Sequence, residues 1–193
     1  MARKREFSEI ITRNLTSFPG ISSLKSEQED CILALLDRKD VFGILPTGFG
    51  KSLIFQLLPR VIKEAWGIER ATVVVVTPLV SIMKDQVRDL NERGVKAFAL
   101  LGEESENEVL DNVHSAEIVY ASPETWLSER WLKELKDGQL GKQIVALVID
   151  EVHSVTLWQE IIYLMSYNSK FLSRKSRQRK FIDWNTVHLH VIL

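Results

Sequence analysis

Cysteine is almost missing from this chain: Cys31 is the single one in 193 residues. One thiol excludes an internal disulfide, and with it a disulfide-stapled secreted scaffold, which fits a reducing compartment. Cys31 sits in an apolar periodic segment and reads as a small core hydrophobe. Long apolar runs are missing too. Nothing approaches the roughly 18 apolar residues that cross a bilayer. The opening MARKREFSEI lacks the apolar stretch of a secretion signal, so no membrane partner is expected and the default compartment is intracellular. An excess of charge of either sign is also absent, since 25 Lys and Arg stand against 26 Asp and Glu for a formal net charge of -1. That balance supplies no global attraction for a polyanion, so a nucleic-acid partner has to be argued from local sites. His188 and His190, two residues apart and without further ligands, make no metal site.

What is present is globular: 45% of residues are hydrophobic and 26% charged, in a length that suits one ordinary domain with some excess. Apolar residues recur at helical spacing over 6–18 (Phe7, Ile10, Ile11, Leu15), and Pro19-Gly20 ends that helix. A second helix opens at Ser26, read as its N-cap with Glu29 at the capping-box spacing. Strands then alternate with helices. The pattern predicts strands over 41–45, 72–76, 95–100, 118–121 and 144–149, and helices over 51–66, 81–93 and 123–136. The acidic run 102–111 reads as a solvated loop and helix start without a function. Strands that are apolar on both faces and separated by helices predict an α/β fold, a mostly parallel sheet with helices on both faces. Ligands of such sheets bind beyond the carboxyl ends of the strands, so the residues following each strand carry the functional information.

After the first strand comes Pro46-Thr47-Gly48-Phe49-Gly50-Lys51-Ser52, leading into a helix. Two glycines let the backbone turn its N–H groups inward, the helix N-terminus faces a phosphate, Lys51 adds a point charge and Ser52 a hydroxyl for Mg²⁺. Leu45 stands where the strict phosphate-loop pattern has glycine, a departure that points toward helicase-like rather than kinase-like proteins. After the last buried strand, Asp150-Glu151-Val152-His153 presents two adjacent carboxylates. Asp150 suits a hydrated Mg²⁺, and Glu151 suits the orientation and deprotonation of a water. Alone, such a pair is more often a surface turn. The phosphate loop about a hundred residues earlier gives it a functional reading.

LPTGFGKS, TPLVSIMKDQV, YASPE and IDEVHSV, in this order and spacing, resemble the motifs of the RecQ-like ATP-dependent DNA helicases. The resemblance runs over residues 5–158. It implies a RecA-like P-loop NTPase domain, the first of two motor domains, using ATP and Mg²⁺ to drive DNA unwinding in repair and recombination, in the nucleus of a eukaryote. It implies a catalytic set of Lys51, Asp150 and Glu151, and Mg²⁺ ligation by Ser52 and Asp150. Nucleotide contacts would come from Pro46, Thr47, Gly48, Phe49, Gly50, Lys51, Ser52 and His153. LKSEQED is similar to the family's adenine-reading motif, so Gln28 would meet the base edge with its amide, and Lys25 stands where arginine is usual. Thr77, Pro78, Ser81, Ser122, Pro123 and Trp158 would face single-stranded or forked DNA, through its backbone rather than its bases. Without the motif context, Gln28 is an exposed helix residue and 77–81 a helix cap.

The resemblance ends within the last motif. Val155 and Trp158 fit the aromatic loop that follows it, whereas Leu157 replaces the expected glutamine and Gln159 the expected glycine. Residues 159–193 match nothing in the family and carry six Lys and Arg against Glu160 and Asp183, a local charge of +4. The expectation is therefore an ATP-binding domain over 1–158, a basic, solvated tail over 159–193, and no second motor domain. A chain of that kind would be catalytically incomplete. The alternative reading is a nucleotide- or nucleic-acid-binding fragment that regulates or competes with a full-length helicase.

Overall fold

The computed structural model of the chain describes residues 2–102, 106–150 and 190–192. Six parallel strands form one sheet in the order β1-β6-β5-β2-β4-β3. They are β1 (Val41–Phe42), β2 (Thr72–Val76), β3 (Ala97–Leu100), β4 (Ile118–Ala121), β5 (Ile144–Ile149) and β6 (His190–Ile192). Between them run α1 (Ala2–Leu15), α2 (Ser26–Leu36), α3 (Lys51–Trp66), α4 (Val80–Glu92), α5 (Glu106–Ser115), α6 (Pro123–Leu127), α7 (Glu129–Asp137) and α8 (Gln139–Gln143).

Strand β2 shows why the helices lie on both faces. Successive side chains of a strand point to opposite sides. Val73 and Val75 pack with α1 to α4, through Leu15, Ile32, Phe55 and Met83, whereas Val74 and Val76 pack with α5 to α8, through Val113, Trp126, Trp131 and Leu140. All five residues of β2 are buried, and all four of β4. Continuous apolar runs are what a doubly covered parallel strand requires.

Several boundaries depart from the sequence pattern. The expected helix over 123–136 is two helices, α6 and α7, because Ser128 takes extended backbone where a helix would continue, and Gly138, also extended, separates α7 from the short α8 beyond it. The acidic run supplies α5, whose Val109 and Val113 reach the second core face. Among the described residues strand β1 pairs only with β6, and it lasts two residues. Helix α2 is capped at Lys25 rather than Ser26. Ser26 Oγ donates to its neighbour Glu27 instead, at 2.9 Å. Strand β6, inside the sheet between β1 and β5, comes from the segment that the sequence reading assigns to the tail. Cys31 is half-buried against the first core face, and burial first, then the neighbouring Asp30, push its thiol pKa up.

Candidate nucleotide-binding site

The loop after β1 closes on itself before α3 begins. Phe49 N–H donates to the Pro46 carbonyl at 3.1 Å, and Leu53 N–H to the Gly50 carbonyl at 3.1 Å. Gly48 and Gly50 hold φ of 76° and 86°, the left-handed region that a Cβ makes costly. Gly50 is the N-cap of α3 and has no side chain to cap it, so the first-turn N–H groups of that helix form a natural cradle for an anion. Lys51 and Ser52, the first two residues of α3, are both half-buried beside that cradle.

A second element holds the loop from outside. Gln28, only 3% exposed, donates its amide Nε2 to the carbonyls of Phe49 (3.1 Å) and Gly50 (2.9 Å). Its Oε1 accepts the backbone N–H of Lys25 at 2.9 Å, the reciprocal half of a capping box. Both amide hydrogens are thus engaged with the loop. An adenine edge would use the remaining lone pair of Oε1 or displace one of the loop bonds. Lys25 Nζ lies 3.9 Å from the Phe49 ring centroid and donates to the Phe49 carbonyl at 3.1 Å. The lysine therefore stacks on the loop, where the family's arginine is expected to stack on the base.

Asp150 ends the run begun by β5, is 8% exposed, and donates its backbone N–H to Val76 at 3.0 Å. It thus stands at the same carboxyl edge of the sheet as the loop. Among the described residues no group of three or more His, Cys, Asp or Glu is assembled to hold a metal. One carboxylate and the Ser52 hydroxyl, both hard oxygen donors, suit Mg²⁺ that keeps waters and phosphate oxygens as its other ligands. Glu151, His153 and Trp158 lie outside the described residues.

The residues read as nucleic-acid-facing divide by burial. Ser81 is exposed, along with Leu79 and Val80 at the uncapped start of α4, and Pro78 is half-buried. Thr77 is 1% exposed, and its Oγ1 has no hydrogen-bond partner among the described residues. Its backbone N–H continues the sheet ladder to Ala121, so the residue points as a strand residue would, into the core. Ser122 is half-buried and occupied as the N-cap of α6, accepting from Thr125 N–H at 3.3 Å. Pro123 is buried at the first position of that helix. In this structure, then, the Thr77 hydroxyl and the Pro123 ring are not presented to an outside strand.

Residues 25–182 match the family described as DEAD/DEAH box helicase. The chain belongs to the DEAD/DEAH box helicase family. Among its relatives, the probable ATP-dependent DNA helicase RecS of Bacillus subtilis (strain 168) is 36% identical over 152 residues, which cover 77% of this chain and 28% of that protein. The ATP-dependent helicase wrn-1 of Caenorhabditis elegans is 35% identical over 147 residues, 75% of this chain and 13% of that protein. The chain thus spans under a third of either relative. The fold is also that of the DUF1998 helicase MrfA in its crystal structure bound to DNA and AMPPNP, with a TM-score of 0.70 at 19% identity over 95% of this chain and 26% of that one.

Gln56 of this helicase domain escaped the sequence reading, whereas Gln86 and Tyr120 lie within the segments TPLVSIMKDQV and YASPE without having been given a role of their own. The Tyr120 hydroxyl donates to Gln86 Oε1 at 2.8 Å, and Gln56 Nε2 reaches the same oxygen at 3.4 Å. Gln56 lies one helical turn beyond Ser52, Gln86 one turn beyond Ser81 and its neighbours, and Tyr120 two residues before Ser122. A polar residue at an otherwise apolar position of a core-facing helix, such as Gln56 within LIFQLL, was the available signal.

Proposed function

We propose that this chain is the ATP-binding motor domain of a RecQ-type DNA helicase, coupling ATP hydrolysis to movement on DNA in the whole protein. The observation that carries the reading is the braced phosphate loop: Gly48 and Gly50 in left-handed backbone, Gln28 fastened to the loop carbonyls, and Asp150 at the same edge of the sheet. The RecQ-type DNA helicases among the relatives support the choice of nucleic acid. Lys51 and the first N–H groups of α3 bind the β- and γ-phosphates of ATP. Ser52 and Asp150 would hold Mg²⁺, which when bound would neutralise charge on the phosphate oxygens. Glu151, next to Asp150 in sequence, orients the attacking water and takes its proton. Ser81 and the open first turn of α4 meet a phosphate of single-stranded or forked DNA, and contacts of this kind position a strand without reading its bases. Residues 1–158 supply the nucleotide-binding side chains, and β6 from the 159–193 segment completes the sheet beneath them.

The deciding experiment is ATP turnover and Mg-ATP binding measured with and without single-stranded DNA. Binding of ATP that is lost in Lys51→Ala, with turnover that rises when DNA is added, supports the motor reading. Nucleotide binding indifferent to DNA of any form removes the motor reading and leaves a nucleotide-binding fragment of the family.

A further inference from the structure

Behind the strand-end loops lies a polar trio that neither ATP nor DNA would touch. Gln56 on α3, Gln86 on α4 and Tyr120 on β4 meet at one atom, Gln86 Oε1. Gln56 is 9% exposed and Tyr120 not at all, and the surroundings are apolar, with Phe55, Ile54 and Leu58 fully buried alongside. The Tyr120 ring also meets Phe55 edge-on, with centroids 6.4 Å apart and planes at 68°. The Tyr120 hydroxyl is a buried polar group among apolar side chains, held by the one acceptor that Gln56 also reaches.

We propose that Gln56, Gln86 and Tyr120 form a positioning link, through which nucleotide bound at the phosphate loop changes the affinity of the α4 and β4 strand ends for nucleic acid. This rests on the function proposed above and adds the route of coupling within it. Gln56 is four residues after Ser52, so both lie on one face of α3 and move together when phosphate draws the start of the helix. Gln86 belongs to the helix that begins beside Ser81, and Tyr120 to the strand that runs into Ser122. The shared acceptor therefore ties the nucleotide-side helix to the helix that opens beside Ser81 and to the strand that runs into Ser122. Bulk water cannot replace the bond to a fully buried hydroxyl, so the arrangement tolerates discrete states and not gradual drift. Burial first, with the charge of Asp150 adding to it and a hydrogen bond from Gln56 opposing, pushes the Tyr120 pKa up, and the phenol stays a neutral donor.

The test uses the whole 193-residue chain, a fluorescent oligo-dT and a non-hydrolysable ATP analogue with Mg²⁺. DNA affinity is titrated with and without the analogue for the wild type, Tyr120→Phe and Gln86→Met. The wild type is expected to show a nucleotide-dependent change in DNA affinity of about 5-fold or more, mirrored by an equal change in analogue affinity when DNA is present. Tyr120→Phe is expected to bring that ratio close to 1, with each ligand alone bound within about 3-fold of wild type. Gln86→Met should do the same, and the double variant should lose nothing more, because the two act through one bond. Thermal melting of each variant separates lost coupling from lost fold, and Gln86→Met carries the test if Tyr120→Phe melts early. Variants that keep the wild-type ratio overturn the link. So does a wild type that binds both ligands without any coupling, with the nucleotide assignment left standing. A wild type that fails to bind the analogue overturns that assignment and the link together.

Discussion

Gln28 fastens Gly50 from outside the loop to which that glycine belongs: its amide nitrogen lies 2.9 Å from the Gly50 carbonyl, and a Cβ added at Gly50 would come within 2.8 Å of that nitrogen. Residues 22 apart in sequence are thus fitted so closely that a Cβ at Gly50 would push the Gln28 amide off its bonds to the loop carbonyls. The brace sets the entry of α3 before any ligand arrives, which lowers the ordering cost of binding phosphate there.

Replacing Gln28 with Leu removes three hydrogen bonds, one to Lys25 N–H and two to loop carbonyls. Urea denaturation is expected to show a loss of about 1–3 kcal/mol, since each bond contributes roughly 0.5–1.5 kcal/mol and part of the exposed polarity is regained from water. Calorimetry should show weaker Mg-ATP binding in the same variant. Unchanged midpoints and affinity would remove the brace.

The two loop glycines should differ when each becomes alanine. Gly48→Ala meets open space and carries only the strain of its positive φ, about 1–2 kcal/mol. Gly50→Ala carries similar strain and also collides with Gln28, so its melting temperature should fall further and its nucleotide binding should fail first. Equal behaviour of the two variants would contradict this geometry.

Lys51→Ala should separate binding from folding. The side chain is half-buried at the surface of the loop, so denaturation midpoints are expected to stay near wild type. Mg-ATP affinity should drop by about 1.5–3 kcal/mol, the range for a hydrogen bond to a charged group. Isothermal titration measures this directly.

The pair His114–Glu134 predicts a response to acid. Burial tends to raise the Glu134 pKa, but hydrogen bonds from Leu140 N–H and His114, and the charge of His114, outweigh it and leave the carboxyl below its usual value. A group with a depressed folded pKa contributes stability above its unfolded pKa, near 4.3 for Glu, and loses it as pH falls through the folded pKa. Glu134→Gln should therefore be less stable than wild type at neutral pH, with the gap closing below about pH 4. Denaturation curves across pH 3 to 7, roughly the carboxylate range and above, test the sign.

At the opposite edge of the sheet, Arg60 binds Ser17 Oγ, the Gly94 carbonyl and both oxygens of Glu117, joining the α1 turn, α3 and the starts of β3 and β4. Arg60→Met keeps the stem and leaves Glu117 and Gly94 without this donor, at a cost of about 1–3 kcal/mol in chemical denaturation. Nucleotide affinity should be unaffected, because the site lies at the other end of the strands.

The elements legible from sequence were those whose cause is local. Strands 72–76, 118–121 and 144–149 and helix 51–66 form over the residues that the pattern names, since a continuous apolar run buried on both faces leaves no choice of period. The helix break at Ser128 was not legible, because a serine inside an amphipathic stretch breaks it only when neighbouring packing favours two shorter pieces. The start of α2 shifted by one residue for a similar reason: Gln28 is drawn to the loop carbonyls and fixes Lys25 as the cap.

The amino-acid sequence by itself determined the alternation of strands and helices between Val41 and Ile149, and placed the phosphate loop and Asp150 after strands, because backbone geometry and motif chemistry act over a few residues. Only the tertiary structure decided which side chains are available there. Thr77 and Pro123 belong to the same motifs as Ser81 and Ser122, yet packing between β2, β4 and α6 turns the first two inward. Gln28, Gln56, Gln86 and Tyr120 acquire their partners across 21 to 34 residues of chain. Such meetings depend on sheet order, strand register and the rotation of each helix about its own axis, none of which a local pattern contains.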